Sequence, residues 1–502
     1  LGENATGRRN FLKYVATAVV CGVVAGVGGY FSGAAAVPPP KTVTTTVTTA
    51  AAAGAPKTVT TTATVTETVA KTVTTTVPGV TKPQGEPWIV GWLGGYGLDF
   101  PAGSRRGLEL AIEEINEAGG VLGRPLKMVT VDTKQDVEEG VKAYDFLAET
   151  AKADIILSGA VDDVSNVFVA RVPEYRIPTI ETWTTSATAI GKVAEDYDSY
   201  KPYFLPTTND FHFAHAMGLF LKEVFMDKMG YTKCVLLYED TSFGHNVADW
   251  FKEAIAPSAG VEVVDEVVYD IECMDFSPHF ARCKASGADF IHLIASVRVL
   301  PIATQYVELK VSLPIEGCIV AAQFDEWWED TGGRGWGFVH MHYPPTSYGK
   351  LDEWSKRTLE KYRAKYGNSR PRNIYCAGWQ AYYMMHFAAR AAERAGGFSR
   401  PKPGQPVDES LLDAFIEEME NSVLVSGYLE DRRPCWKFCF QKPGEKDPYI
   451  GGEWPHCARY DPTGVDGLCE VYHEWFPDGK NYCIWPERYA LKEFVPPSEF
   501  MK

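Results

Sequence analysis

The chain lacks the short signatures that mark common enzyme classes. It has no Gly-x-Ser-x-Gly elbow, no glycine-rich phosphate loop ending in Gly-Lys-Ser/Thr, and no His-Glu-x-x-His helix. Hydrolysis at a nucleophile elbow, nucleotide handling at a phosphate loop and zinc-protease chemistry therefore have no footing in it. Positive charge is also scarce. Across 502 residues, 49 Lys and Arg face 65 Asp and Glu, a net charge of −16. The first 82 residues carry +5, and the remaining 420 carry 42 basic and 63 acidic residues, or −21. So acidic a body is repelled by nucleic acid and by anionic lipid, so neither is an expected partner. His340 and His342 stand at strand spacing with no acid or cysteine ligand beside them, which reads as packing rather than a metal site. No metal, no cofactor and no catalysis are expected.

The most informative segment present is 88–132. Trp88-Ile-Val-Gly-Trp-Leu-Gly-Gly-Tyr-Gly reads as a buried strand entering a glycine-rich loop. A helix follows, with Leu108, Ala111, Ile112 and Ile115 at i, i+3, i+4 and i+7, and Gly119-Gly120 ends it. Arg124 to Asp132 then supplies a second strand. Strand, helix and strand make a βαβ unit, which implies a parallel sheet with ligands at its strand ends.

The run G-x-x-L-A-x-E-E-I-N-x-A-G-G-x-x-G-R-x-L, from Gly107 to Leu126, resembles the first helix of type I periplasmic-binding proteins. Within that group it is most similar to the branched-chain amino-acid (Leu/Ile/Val) binding proteins of ABC importers. The resemblance extends over nearly all of 88–495, because the alternating pattern continues in the family's order. Strands are expected at 153–160 and 177–182, a helix from His212 to Met229, and a second βα series from Lys233 to about 321. The stretch Glu474–Glu487 is similar to the family's closing hairpin. What the resemblance implies is an α/β fold of two Rossmann-like lobes joined by three crossings, near 206–209, 343–346 and 426–429. Lobe one is then 88–205 plus 346–426. Lobe two is 206–345 plus 427–495, with a cysteine-rich insertion at about 430–470.

Ahead of this body lie two segments of a different kind. Residues 1–37 resemble a twin-arginine export signal: Arg8-Arg9-Asn10-Phe11-Leu12-Lys13 precedes an apolar run from Tyr14 to Phe31. At roughly 18 residues this run is marginal for a membrane span, which needs about 20. Both a cleaved signal and a retained anchor helix stay open, and the anchor is the reading adopted. Residues 38–87 repeat Lys-Thr-Val-Thr-Thr-Thr at 41–46, 57–62 and 71–76 between prolines. They lack the aromatic and large aliphatic side chains that build a core, so they read as a Thr/Pro-rich stalk open to O-glycosylation. Threonine and valine also favour strands, so the stalk offers a route to self-association. The layout resembles cell-surface binding proteins of archaea. The expected location is the extracellular face of the membrane.

Ten cysteines lie beyond the signal, which suits an oxidising compartment, although sequence alone leaves their connectivity open. Cys273 and Cys283 form the easiest pair. Cys435, Cys439, Cys457 and Cys469 are the other disulfide candidates; free thiols and a zinc site involving His456 are the alternatives.

Candidate ligand-binding residues come from the loops after each strand: Tyr96, Asp162, Asp163, Trp183 and Thr185 in lobe one, and Phe243, Ser296, Arg298, Gln323 and Asp325 in lobe two. In the amino-acid binders of the resembling family, a hydroxyl residue and a threonine hold the ligand's carboxylate. Those positions fall on Asp162 and Thr185, so only Thr185 keeps the family's residue type. An aspartate at 162 repels a carboxylate, so a cationic or neutral polar ligand is at least as well served. Asp162 or Asp163 could equally cap the helix that follows. The function expected is capture of a small polar ligand (an amino acid, amide, amine or short peptide) and delivery to ABC permease subunits. The alternative is a structural or filament-forming surface protein built on the same fold.

Overall fold

The computed structural model describes residues 82–295, 299–342, 346, 348–427 and 436–500, together with the backbone of three strands at 41–49, 57–65 and 75–77. The signal or anchor segment 1–37 lies outside the described residues. No helix among the described residues is long and apolar enough to cross a membrane.

Residues 1–81 form a unit of their own. Here the Lys-Thr-Val-Thr repeats pair within the chain. Lys41–Thr49 runs antiparallel to Lys57–Val65 over their full length, and Thr75–Val77 adds in parallel. β-branched threonine and valine suit such a pleated surface.

The second unit, Lys82–Lys502, is built on two large sheets, with a small antiparallel pair of Leu424–Val425 and Lys437–Phe438. The first contains β1 (Trp88–Gly94), β2 (Leu126–Asp132), β3 (Ile155–Gly159), β4 (Thr179–Glu181) and β5 (Tyr203–Phe204), all parallel in the order β2-β1-β3-β4-β5. The second contains β6 (Lys233–Glu239), β7 (Glu262–Tyr269), β8 (Phe290–Ala295), β9 (Ile315–Ile319), β10 (Phe338–His342), β11 (Val471–Trp475) and β12 (Asn481–Trp485), in the order β7-β6-β8-β9-β10-β11-β12. β11 and β12 form the closing hairpin and run antiparallel to their neighbours. β1, β3, β8 and β10 are almost wholly buried, as strands with helices on both faces must be; β1, β3 and β8 hence read as near-continuous apolar runs, whereas β10 buries His340 and His342.

The helix Asp99–Glu117 carries the sequence motif and buries Leu108, Ala111, Ile112 and Ile115. Its first motif residue, Gly107, lies against the backbone of the helix Cys376–Ala395, where a Cβ would stand 2.0 Å from the Gly378 carbonyl oxygen. That close crossing draws the later helices Glu353–Tyr366, Cys376–Ala395 and Glu409–Asn421 into one core with Trp88, Val90 and Leu126. Gly119 and Gly120 follow the helix with φ of 111° and 72°, conformations that admit glycine freely.

The described part of the cysteine-rich stretch, expected with the second lobe, places Trp436, Phe438, Phe440, Ala458 and Leu468 in this first core. Trp436 packs on Tyr383 with ring centres 4.5 Å apart, and Phe438 on Phe387 at 5.5 Å. Its link to the second lobe is polar at His212, whose Nε2 lies 2.9 Å from Asp447. Among the described residues, Cys273, Cys283, Cys439, Cys457 and Cys469 are unpaired. Cys273 donates to the Asp275 carbonyl oxygen and is part-buried against the core in which Cys283 is sealed. Cys435 lies outside the described residues.

Candidate ligand-binding cleft

The loops at the carboxyl ends of the first sheet are held by a relay that starts in the strands. Trp92 Nε1 donates to Ser104 Oγ (3.1 Å), Ser104 bonds to Thr182 Oγ1 (2.8 Å), and Thr182 donates to the Ser158 carbonyl oxygen (2.6 Å). This ties the first helix to the ends of β3 and β4. Beyond it, the loop 183–187 wraps around two carboxylates. Thr184 Oγ1 and the Thr185 N–H donate to Asp162, and Thr185 Oγ1 (2.7 Å) and the Ala187 N–H (3.0 Å) donate to Asp210. Asp162 and Asp163 open the helix Asp162–Phe168, but its cap is Val161, and neither acid makes a side-chain cap bond. Asp162 turns towards the threonines instead, while Asp163 is exposed.

These carboxyls are held above their ordinary range. Burial pushes Asp162 upward against its two hydrogen bonds, and burial together with the neighbouring charge of Asp162 pushes Asp210 to about 6. Behind them, burial raises the fully enclosed Glu181 to about 7; Tyr203 donates to its Oε1 (3.2 Å), and its Oε2 has no partner.

Aromatic rings connect the two lobes. Phe100 stacks on Trp183 (4.7 Å, 18°), Trp183 leans on Tyr375 (5.2 Å), and Tyr375 stacks on Phe324 (4.5 Å, 25°). Phe100, Trp183 and Tyr375 come from the first lobe, and Phe324 from the loop after β9. Beside them is a cavity of about 20 Å³ lined by Gln323, Asp325, His342, Asn373, Tyr375 and Trp379, among others. The Tyr375 hydroxyl donates to Gln323, and Gln323 Nε2 donates to the Met341 carbonyl oxygen (3.0 Å). Asn373 Nδ2 contacts both Asp325 and the Tyr348 hydroxyl (2.9 Å). Burial raises Asp325 to about 6. Trp379 Nε1 and His342 Nε2 are buried here without a hydrogen-bond partner.

Of the sequence-derived set, Gln323 and Asp325 line the cavity, Trp183 joins the ring column through Tyr375, and Asp162 and Thr185 meet at the loop 183–187 that carries Trp183. Tyr96 lies at the rim, 50% exposed, with its hydroxyl donating to Thr130 Oγ1 (2.7 Å). Phe243 is 38% exposed near the start of the helix Ser242–Trp250. Ser296 and Arg298 lie outside the described residues. Sequence reasoning missed Asp210, Asn373, Tyr375 and Trp379. Asp210 sits just past the first crossing, and the other three lie far down the chain from the strands they face. The motif helix gives the one available clue, because its Gly107 needs a partner helix and Tyr375 and Trp379 flank that partner's first turn. His340 and His342 join His473 in a buried, neutral cluster, with His342 lowered to about 3 by burial. Among the described residues no three His, Cys, Asp or Glu side chains are arranged to hold a metal. His456 is structural, stacked on Phe204 (4.3 Å) and bonded to Glu420 (2.8 Å).

Two α/β lobes with a cleft at their strand ends, bridged by rings and polar contacts, match the periplasmic binding protein family over residues 87–419. The chain belongs to that family. Its members are solute-binding proteins rather than enzymes. Leu/Ile/Val-binding protein homolog 7 of Brucella abortus (strain 2308) is 28% identical over 193 residues, or 38% of this chain and 46% of the relative. The chain thus spans about half the length of the curated relatives it matches. A putative branched-chain amino acid ABC transporter from Silicibacter pomeroyi shares the fold of this binding protein at a TM-score of 0.65 and 18% identity, covering 82% of this chain and 99% of that one. So does a branched-chain amino acid substrate-binding protein from Streptococcus pneumoniae in complex with isoleucine (TM-score 0.56, 17% identity, covering 80% and 100%). A solute-binding protein from R. palustris in complex with benzoate superposes equally well (TM-score 0.56, 16% identity, covering 82% and 99%).

Proposed function

We propose that this binding protein captures a small polar ligand (an amino acid, amide, amine or short peptide) in the cleft and delivers it to the permease of an ABC importer. The supporting observation is the ring column that joins Trp183, after the first sheet's β4, through Tyr375 to Phe324, after β9 of the second, beside a cavity lined by Gln323 and Asp325. We take the lobes as 88–205 plus 346–426 and 206–345 plus 427–495, with the described part of the cysteine-rich stretch packed on the first, closing by hinge motion at the three crossings. The protein works outside the cytoplasm, held at the cell surface by its N-terminal helix and stalk. The ligand of a neighbour with the same fold is no guide, since isoleucine and benzoate occupy such folds at equal structural distance.

The test is thermal unfolding against amino acids, amides, amines, short peptides and sugars. A ligand at about 100 times its Kd adds roughly 2.7 kcal/mol of stability, and the melting curve moves with it. No shift with any class refutes the reading. The second reading, a surface assembly, draws on the threonine strands, whose β-branched repeats pair side by side and are suited to pairing with further chains. Elution as a large assembly with no ligand response favours it over transport.

A further inference from the structure

Past the residues that match the family, 87–419, part of the cysteine-rich stretch folds around an open pocket of about 190 Å³. A single water needs only about 10–15 Å³, so this pocket has room for a small molecule. It shares no lining residue with the cavity beside Tyr375. Two aspartates pin its walls. One oxygen of Asp447 accepts from the Tyr449 N–H (2.9 Å) and the Ile450 N–H (3.0 Å); the other accepts from Gln441 Nε2 (2.9 Å) and lies 2.9 Å from His212 Nε2. Asp461 accepts from the N–H groups of Thr463 (2.9 Å), Val465 (3.1 Å) and Asp466 (2.8 Å) and from the Thr463 hydroxyl.

The carboxylates of the pocket are therefore already served. Glu445 pairs with Arg459 and Asp466 with Lys437 (2.7 Å), while Asp447 and Asp461 take the donors just named. The groups left over are of both kinds. Gln441 is 2% exposed and its Oε1 has no hydrogen-bond partner, Arg459 Nε is buried without one, and Lys446 makes no ion pair among the described residues. A cation would meet Arg459 and Lys446, and an anion would meet Glu445, Asp447, Asp461 and Asp466, so a neutral ligand that both donates and accepts is served best. Tyr449 adds a ring. It stands edge-on to Tyr460 (5.5 Å, 83°) and beside His215 (5.9 Å), and 42% of it stays exposed. Such a ring offers a flat apolar face with a polar tip. Planar amide and guanidinium groups next to it suit a molecule with hydroxyls around its edge and C–H groups on one face, which is the make-up of a sugar ring.

We propose that this pocket is a second binding site, for one ring of a neutral sugar, with Gln441 and Arg459 bonding its hydroxyls and Tyr449 covering its C–H face. A few placed polar groups around a ring surface are what orient a small ligand in a pocket. The site is independent of the cleft and of the ligand held there. A free saccharide and a surface glycan present the same ring, so the probes include both sizes.

The experiment is saturation-transfer NMR and titration calorimetry of the full chain with D-glucose, D-galactose, D-mannose, N-acetyl-D-glucosamine, maltotriose and mannotriose. The expected result is binding by at least one of them. A trisaccharide about tenfold tighter than its monosaccharide identifies a glycan as the source, and equal affinity a free sugar. Tyr449→Ala and Arg459→Lys should each weaken binding about tenfold, whereas Tyr449→Phe, which keeps the ring, should stay within about threefold of wild type; the unliganded melting temperature reports that each variant is folded. Hydrogen exchange with the bound sugar should slow at 441–449 and 459–466. Silence from every sugar, binding untouched by Tyr449→Ala, or protection at 183–187 and 323–325 instead overturns the proposal, and the last of these leaves the binding-protein reading standing. A melting shift that survives Tyr449→Ala belongs to the cleft, so the two readings fail separately.

Discussion

A single methyl group at Gly107 tests the packing that positions the cleft. The added Cβ would stand 2.0 Å from the Gly378 carbonyl oxygen, 2.7 Å from its carbon and 2.8 Å from its Cα. All three are backbone atoms of a helix and cannot rotate aside. Restoring ordinary contact requires the two helices to part by roughly 1.5 Å, and gaps of 0.5–1 Å already forfeit a quarter to a half of each dispersion contact. The affected surface includes Leu108, Ala111, Ile112, Trp379 and Tyr382, all in one core. Overpacking typically costs about 1–3 kcal/mol, and with backbone on the far side the cost belongs at the top of that range, about 3 kcal/mol. Gly191 supplies the matched control. It lies inside the helix Ala187–Glu195, and a Cβ there meets nothing within 4 Å. Gly191→Ala should stabilise by about 0.5–1 kcal/mol through helix propensity. Urea unfolding followed by tryptophan fluorescence reads both. A Gly107→Ala midpoint equal to wild type would refute the close-crossing argument.

Three further outcomes follow from buried groups. Burial raises Glu470 to about 8, and its folded form holds a proton that the unfolded carboxyl gives up near its ordinary value. Its contribution to stability is therefore full below about pH 4.5 and lost as pH rises through 8, so Glu470→Gln should flatten the loss of stability between pH 5 and pH 9 measured by chemical denaturation. Asn373→Ala removes the contact to Asp325 that joins the two sides of the cleft, along with one to Tyr348 on its own side; it should cost about 1 kcal/mol and enlarge the radius of gyration in small-angle scattering. A thiol reagent at pH 8 should label the part-exposed Cys273 ahead of the buried Cys234, Cys283 and Cys457, whose thiols burial pushes upward; equal labelling rates would contradict the free-and-buried assignment.

How much of this was legible in the sequence depended on range. β1, the motif helix and β2 are local patterns, visible because buried parallel strands read as apolar runs and the helix repeats at 3.6 residues. The positions of Thr185 and Gln323 just past strands were legible for the same reason: strand ends can be located one at a time. Tyr375, Asn373 and Asp210 were not, because their place is set by how distant segments return to the cleft. The tyrosine precedes its helix without any local sign of what it faces. The use of Asp162 was half legible. Its charge at a ligand position was visible, whereas its capture of the Thr184 and Thr185 donors needed coordinates. Cysteine pairing was not legible, because sequence spacing says nothing about burial: Cys283 lies in the core and Cys273 is part-buried against it.

The central claim is that one ligand is held by both lobes at once. Hydrogen exchange of the full chain, with and without the compound that gives the largest melting shift, tests it most directly. The account predicts slowed exchange at 183–187 on the first lobe together with 323–325 on the second. Protection confined to one lobe, or found only in the stretch 436–468, would contradict it.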